Sequence, residues 1–368
     1  MNLNTIREAI EAIANGELIV VVDDGDRENE GDLIMAASKA TPEQIAFMVR
    51  HTSGIICAPM SPQRADHLNL APMVANNRDP MRTAFTVSVD YKVGLTTGIS
   101  ADERSSTLRA LANNNSVSTD FLRPGHVFPL VSKPGGVLTR SGHTEAAIDL
   151  ARLAGLEEVG VLAEVVNDDG TVKRLPQLLE FAKEHNLKII SIEDLIEHRV
   201  RSEPFVSRVE TTTVATPIGP ATAHIYASAF ETTQHLAIVF GHISEQKGVP
   251  CRIHHEQPLR DLFGSQTTSQ LWLENAFPQI KASGRGVIIF VRDPKIAAFD
   301  QDPSSDEGVE RHQSTQIRMK RWREVGLGAQ ILRDLGVTSI SLVATQHRQY
   351  VGLSGFGIEI VGTTLVQH

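Results

Sequence analysis

The chain has 368 residues, of which 41% are hydrophobic and 21% are charged. Its length exceeds what one hydrophobic core usually serves, and its composition excludes disordered, collagen-like and low-complexity chains, so we expect two globular domains. A formal net charge of -9 disfavours a nucleic-acid partner. The longest apolar runs fall far short of the ~20 residues that cross a bilayer, so no membrane segment is expected.

Cysteine is scarce in this sequence. Cys57 and Cys251 are too few for a disulfide framework or for a zinc site with three or four thiolates. Any bound metal should therefore be held by oxygen and nitrogen atoms. The N-terminal residues form an acidic amphipathic pattern without the features of a signal peptide, which predicts a cytoplasmic protein.

The first half of the chain alternates helical and strand patterns. Apolar residues at helical spacing predict a helix over residues 6–13, and a β-branched run predicts a buried strand over residues 18–22. Further helices are expected to open at Thr41 and to cover 101–111, 146–154 and 176–184, with strands at 159–166 and 187–190. This order predicts an α+β fold, a layered α/β sandwich with a mixed sheet.

The periodicity breaks near residue 203, where we place a boundary between domains at residues 1–203 and 204–368. The second domain is expected to be a second α/β domain. Its predicted elements are strands at 209–215, 235–240, 286–291 and 339–344, a helix at 328–335, and a mobile loop over the polar residues 300–316.

Directly after the first predicted strand, six carboxylates lie within ten residues: Asp23, Asp24, Asp26, Glu28, Glu30 and Asp32. Such a group repels itself unless a cation is bound. A solvated acidic loop is the alternative interpretation, but the segment is bounded by a buried strand and by the apolar residues 33–35. Hard oxygen ligands without a complete cage favour Mg²⁺, which combines one or two carboxylates with substrate oxygens.

The segment from Arg140 to Glu145 precedes a predicted helix. Free backbone N–H groups at a helix start, beside small residues and an arginine, form a seat for phosphate. In the alternative interpretation, Ser141 or Thr144 only caps the helix and His143 is a surface histidine.

Two further side chains stand out by their surroundings. A glycine and two prolines hold His126 in a rigid turn, which is typical of structural as well as functional histidines. Glu164 lies in an apolar strand, where an unpaired carboxylate is unfavourable, and so needs a partner. A metal, a substrate or His126 could be the partner of this carboxylate.

Three segments, residues 23–32, 123–129 and 136–146, together resemble the 3,4-dihydroxy-2-butanone-4-phosphate synthases of riboflavin biosynthesis. The resemblance covers about residues 1–200. It implies that ribulose 5-phosphate loses C4 as formate and leaves a four-carbon dihydroxyketone phosphate. It also implies Mg²⁺ as the only cofactor, with Mn²⁺ able to replace it, and a homodimer.

The resemblance also assigns roles by position along residues 1–200. Glu28 and His143 correspond to metal ligands. His126 and Glu164 fall where the family has essential acid–base groups, and Cys57 is a further acid–base candidate. The positions that correspond to substrate contacts are Arg27, Glu28, Asp32, Arg140, Ser141, Gly142, His143, Thr144 and Glu164.

The second half resembles GTP cyclohydrolase II through residues 252–256, 261–265, 284–286 and 326–337. That family holds zinc with three cysteines. The corresponding positions in this sequence carry Gln257, Thr268 and Gln270. Asp293 and Pro294 replace the segment with which the family binds phosphate. Arg321 and Val325 stand where the family has a catalytic aspartate and a catalytic tyrosine. Without thiolates the water-activating metal is missing, so this domain is expected to be inactive.

Other interpretations of the second half stay open. The chain could be bifunctional and also hydrolyse GTP, although the missing cysteines argue against it. The domain could instead bind a nucleotide or flavin as a regulatory module, or aid assembly. His242, His254 and His255 could supply a different metal site.

Overall fold

The computed structural model describes residues 3–25, 27–229, 233–258, 261, 272–292, 315–344 and 356–365. The chain divides into two units, Met1–His198 and Arg199–His368. The division lies a few residues before the boundary that we place at residue 203. Each unit is built on its own mixed sheet, in agreement with the predicted fold class.

The first four α-helices of the first unit begin at Ser or Thr residues whose side chains cap them. Thr5 accepts a hydrogen bond from Glu8 N, and the Glu8 carboxylate caps Thr5 N in return. The helices are α1 (Ile6–Ala14), α2 (Pro42–His51), α3 (Pro62–His67), α4 (Ala101–Ala112), α5 (His143–Leu153), α6 (Leu175–Glu184) and α7 (Ile192–Ser202). The division between the units falls inside α7.

The strands of this unit form one sheet in the order β4-β5-β3-β6-β2-β1-β7. They are β1 (Ile19–Val22), β2 (Gly31–Ala36), β3 (Cys57–Met60), β4 (Val89–Tyr91), β5 (Phe121–Val131), β6 (Gly160–Glu164) and β7 (Lys188–Ser191). The pairs β1–β7 and β3–β5 are parallel, and the others are antiparallel. The predicted mixed sheet is confirmed.

The two faces of this sheet differ in character. Leu33 and Ala163 pair across β2 and β6 and lie in a hydrophobic core with Ile45 of α2 and Leu108 of α4. Because side chains alternate along a strand, the neighbouring pair, Asp32 and Glu164, points to the opposite face.

Helix α5 covers that second face and packs on β2, β3 and β6. A Cβ at Gly160 would lie 2.7 Å from Ala147 Cβ, so the close approach of α5 to β6 requires glycine there. The carboxylates of β2 and β6 are thereby placed beside the start of α5.

The second unit has the strand order β14-β13-β11-β12-β10-β9-β8. Its strands are β8 (Val206–Thr216), β9 (Gly219–Ser228), β10 (Gln234–Phe240), β11 (Val249–His255), β12 (Gly286–Val291), β13 (Ser339–Ala344) and β14 (Glu359–Leu365), and its helices are α8 (Trp272–Ser283) and α9 (Thr315–Asp334). Ala276 of α8 clusters with Ala221 of β9, whereas Asp334 of α9 bonds Tyr226 of β9. Positions 221 and 226 face opposite ways, so the helices cover opposite faces.

The predicted helices and strands agree with the observed ones, with shifts at their ends, but the turn predicted at His126 is wrong, because that residue lies inside β5. The helix expected at 328–335 is the last part of the longer α9, and the strand expected at 159–166 is limited to β6. Of the predicted mobile loop at 300–316, residues 315 and 316 begin α9 and the rest lies outside the described residues. Within the described residues, no helix is long and apolar enough to span a membrane.

Candidate active site

The acidic segment between β1 and β2 is folded around Asp23. Oδ2 of Asp23 accepts hydrogen bonds from the backbone N–H of Glu28 (3.0 Å) and from Arg27 Nη1 (2.9 Å). Oδ1 accepts one from the backbone N–H of Glu30 (2.9 Å). These bonds give the segment a defined conformation, which argues against a freely solvated acidic loop.

Asp23, Glu28 and His143 bring potential metal ligands together. One ligand atom from each residue lies within 4.8 Å of the other two. His143 Nε2 is 3.1 Å from the carbonyl oxygen of Val21, so in the neutral imidazole Nε2 carries the proton and Nδ1 keeps its lone pair. Nδ1 lies 3.7 Å from Glu28 Oε2. The two predicted ligands, Glu28 and His143, are thus adjacent, and Asp23 joins them.

The charges in this cluster depend on one another. Burial raises the pKa of Glu28, but the neighbouring His143 imidazole and the charge of Arg27 outweigh it and lower that pKa to about 2. Burial lowers the pKa of His143, yet the charge of Asp32 and the neighbouring Glu28 carboxylate raise it to about 9. The positive charge of the His143 imidazolium therefore offsets the negative charge of the neighbouring carboxylates. A bound divalent cation can do the same.

Asp32 is buried close to the other carboxylates of the site. Its side chain is buried, and Oδ1 has no hydrogen-bond partner among the described residues. Burial, reinforced by the charges of Glu164 and Glu30, raises the pKa of Asp32 to about 8. An unpartnered oxygen in a carboxylate-rich site fits a divalent cation or a substrate hydroxyl.

Glu164 ends β6 directly opposite Asp32. Its Oε2 accepts a hydrogen bond from Ser53 Oγ at 2.6 Å, and its carbonyl oxygen accepts one from Ser53 N at 2.8 Å. Among the protein groups, the observed partner of Glu164 is therefore Ser53, which sequence reasoning did not identify.

Cys57 lies near these carboxylates, but its thiol is poorly suited to proton transfer. Burial, reinforced by the charges of Glu164 and Asp32, raises the pKa of Cys57 far above its ordinary value. The thiol is therefore held protonated at neutral pH. Its acid–base role stays a prediction that this environment disfavours.

His126 is bound to Asp90 instead of Glu164. His126 Nδ1 lies 2.7 Å from Asp90 Oδ2, and the backbone N–H of His126 donates to Asp90 Oδ1 at 2.9 Å. Strand β3 separates β5, which carries His126, from β6, which carries Glu164. Because neighbouring strands lie about 4.8 Å apart, these two strands are roughly 10 Å apart. A direct His126–Glu164 bond is thus not the arrangement within this chain.

The predicted phosphate loop forms the start of α5. Gly142 is the N-cap, and no side chain caps this helix, so neither Ser141 nor Thr144 acts as a mere cap. A Cβ at Gly142 would lie 2.2 Å from Arg140 Nη1, so a larger residue there would displace the Arg140 side chain. The uncapped first turn leaves the backbone N–H geometry that anions favour.

Arg140 is already engaged in this loop. Its Nη1 lies 2.6 Å from Oε2 of the buried Glu145, and its Nη2 donates to the Met81 carbonyl oxygen at 3.1 Å. Glu145 Oε1 accepts a further bond from Lys133 N at 2.9 Å. Arg140 therefore orders the loop, in addition to its predicted contact with phosphate.

We expect Arg140→Ala to lower the free energy of unfolding by about 2–3 kcal/mol, because it leaves the buried Glu145 carboxylate without its cation. Any rise in KM would then reflect loop disorder as well as a lost phosphate contact. Denaturant unfolding of the two chains measures the difference. Arg7→Ala, at an exposed position of α1, is the matched control and should change little. An equally stable Arg140→Ala chain would contradict the structural role.

In the second unit, the structure describes Gln257, which we match to a zinc-binding cysteine of the cyclohydrolase family. Gln257 N donates to Asp261 Oδ2 at 2.8 Å, and His254 Nε2 lies 2.8 Å from Asp261 Oδ1. Within the described part of the chain, His242, His254 and His255 form no three-ligand group. Outside the described residues lie Thr268, Gln270, Asp293 and Pro294, and the side chain of Arg321 is also not described.

Comparison with known families agrees with both halves of this description. Residues 7–198 match the family 3,4-dihydroxy-2-butanone 4-phosphate synthase, and residues 207–364 match GTP cyclohydrolase II. Two proteins of Arabidopsis thaliana are each 46% identical to this chain. One is a bifunctional riboflavin biosynthesis protein, matched over 98% of this chain and 68% of its own length. The other is a monofunctional riboflavin biosynthesis protein, matched over 97% and 76%.

Solved structures give the same picture. A two-domain 3,4-dihydroxy-2-butanone 4-phosphate synthase from A. baumannii, RibBX, is 36% identical, with a TM-score of 0.78 over 98% of this chain and 99% of that one. A 3,4-dihydroxy-2-butanone 4-phosphate synthase in complex with two magnesium ions is 46% identical. It covers 54% of this chain and 98% of its own, with a TM-score of 0.53. The expected magnesium cofactor agrees with that structure.

Proposed function

Because the chain belongs to the 3,4-dihydroxy-2-butanone 4-phosphate synthase family, we propose that Asp23, Glu28 and His143 hold Mg²⁺ while ribulose 5-phosphate is converted to 3,4-dihydroxy-2-butanone 4-phosphate and formate. The observation that carries this assignment is the convergence of three ligand atoms within 4.8 Å, beside the unpartnered oxygen of Asp32. When bound, the ion supplies a Lewis acid for the oxygens of the sugar.

The remaining groups bind the substrate and move protons. Asp32 and Glu164 face each other across paired strands, so two carboxyl groups lie together on the face of the sheet that α5 covers. The pair can accept the C3 proton and return it later in the rearrangement. His126 is the second acid–base group. The uncapped start of α5 holds the phosphate of the substrate. Arg27 forms ion pairs with Asp23 and Glu28, and so orients these metal ligands and contacts the substrate.

We expect formate release from ribulose 5-phosphate only in the presence of Mg²⁺ or Mn²⁺. The donor set consists of carboxylates and one imidazole, which suits hard cations. Formate is measured after chelation and dialysis, and again after each ion is added back. Activity should fall to background and return with Mg²⁺. Full turnover in excess chelator would refute the metal assignment.

We also propose that the second unit has lost cyclohydrolase chemistry. In support, position 257 carries a glutamine and therefore offers no thiolate. The Asp261 carboxylate accepts a hydrogen bond from the Gln257 backbone N–H and contacts the His254 imidazole. The alternative function, binding of a nucleotide or flavin, predicts that GTP or a flavin raises the thermal stability of the chain.

We propose that the protein assembles as a homodimer. The homodimer follows from the family resemblance. The cytoplasm is the location we propose from the sequence.

A further inference from the structure

Asp90 commits both of its carboxylate oxygens to one residue. Oδ1 accepts the backbone N–H of His126 at 2.9 Å, and Oδ2 lies 2.7 Å from His126 Nδ1. The side chain of Asp90 is 6% exposed, whereas that of His126 is 39% exposed. A buried carboxylate thus holds an accessible imidazole through two bonds, one to its backbone and one to its ring.

Two glycines lie in close contact with the Asp90–His126 pair and its backbone. Gly98 has φ of 86°, and a Cβ there would lie 2.2 Å from Asp90 Oδ2 and 2.7 Å from His126 Nδ1. A Cβ at Gly125 would lie 2.0 Å from the carbonyl carbon of Val89. Two glycines therefore allow the segments that carry Asp90 and His126 to approach at hydrogen-bond distance.

The bond to Asp90 decides which ring nitrogen is free. A carboxylate can only accept, so His126 Nδ1 carries a proton, and in the neutral imidazole Nε2 keeps the lone pair. We propose that Asp90 is a positioning residue that holds His126 in the Nδ1–H tautomer with Nε2 directed away from the pair, ready for proton transfer. This inference rests on the acid–base role of His126 in the proposed function.

The test is Asp90→Asn in the full chain with Mg²⁺ and ribulose 5-phosphate. The amide of Asn can still accept the backbone N–H of His126, but its NH₂ group would face Nδ1 and favour the opposite tautomer. We expect kcat to fall about 100-fold or more, with KM changed less than about threefold, because a wrongly protonated base affects chemistry more than binding. A kcat within about threefold of the wild type would overturn the proposal.

Two further variants separate positioning from a general loss of structure. Ser88→Ala removes a bond of 3.1 Å from Gly125 N to Ser88 Oγ, at the residue before His126, and leaves Asp90 intact. It should keep kcat within about threefold. In a His126→Gln background, Asp90→Asn should lower the rate less than about twofold, because a residue that acts only through His126 has nothing left to orient. Additive losses in the double variant would overturn the proposal.

The tautomer itself is read from the ¹⁵N shifts of histidine-labelled protein, with His126 assigned by its absence in His126→Gln. The wild type should show the Nδ1–H form and Asp90→Asn the Nε2–H form. This readout does not need turnover. A wild-type chain that released no formate would refute the proposed function, whereas an unchanged tautomer in Asp90→Asn would refute the role of Asp90.

Discussion

Glu28→Gln is expected to reduce formate release from ribulose 5-phosphate to background. The change keeps the size of the side chain but removes one negative ligand from the Asp23–Glu28–His143 cluster. We expect a loss on the order of 10³-fold, which corresponds to the several kcal/mol that a Lewis acid contributes to such a reaction. The position lies in a loop outside the hydrophobic core, so the fold should survive. Formate release and circular dichroism of the same sample measure the two effects.

Metal binding provides a readout independent of turnover. Binding of Mn²⁺, followed by electron paramagnetic resonance, should weaken in Glu28→Gln and in His143→Ala. The second variant should also be less stable, by about 1–3 kcal/mol, because the Val21 carbonyl oxygen loses its donor. Glu11→Gln, the same chemical change at an exposed position of α1, should match the wild type in both assays. Near-normal turnover in Glu28→Gln would show that the metal is held elsewhere.

The local parts of this site could be predicted from sequence. The acidic loop directly follows a β-branched strand, and the residues before α5 have the small size and charge of an anion-binding helix start. Each of these features lies within about ten residues of chain, so composition and spacing are enough to reveal it. The adjacency of Glu28 and His143 came from the family resemblance, and the structure brings the two side chains together.

The positioning groups could not be found in this way. Ser53 reaches Glu164 across 111 residues, and Asp90 reaches His126 across 36. Such pairs depend on the strand order β4-β5-β3-β6, and hydrophobic patterns do not determine the order of strands in a sheet. The sequence showed that Glu164 needs a partner, because a carboxylate in an apolar strand is unfavourable. It could not show that a serine hydroxyl would provide it.

Overall similarity does not decide what the second unit does. A bifunctional and a monofunctional relative are equally similar to this chain, at 46% identity each. The decision therefore rests on particular side chains. At position 257 the protein has a glutamine, whose backbone N–H is bonded to Asp261, and the sequence has no cysteine after Cys251. A thiolate zinc site of the family type cannot be built from these residues.

We therefore expect no formate release from GTP by the full chain, with or without added Zn²⁺. Both activities release formate, so the substrate has to distinguish them, and the same sample must release formate from ribulose 5-phosphate with Mg²⁺ as the positive control. Zinc retained after dialysis should be far below one ion per chain, because the imidazole of His254 is paired with Asp261 and the remaining family positions carry no thiol. Zinc-dependent formate release from GTP would show that other ligands restore the Lewis acid, and the bifunctional interpretation would replace ours.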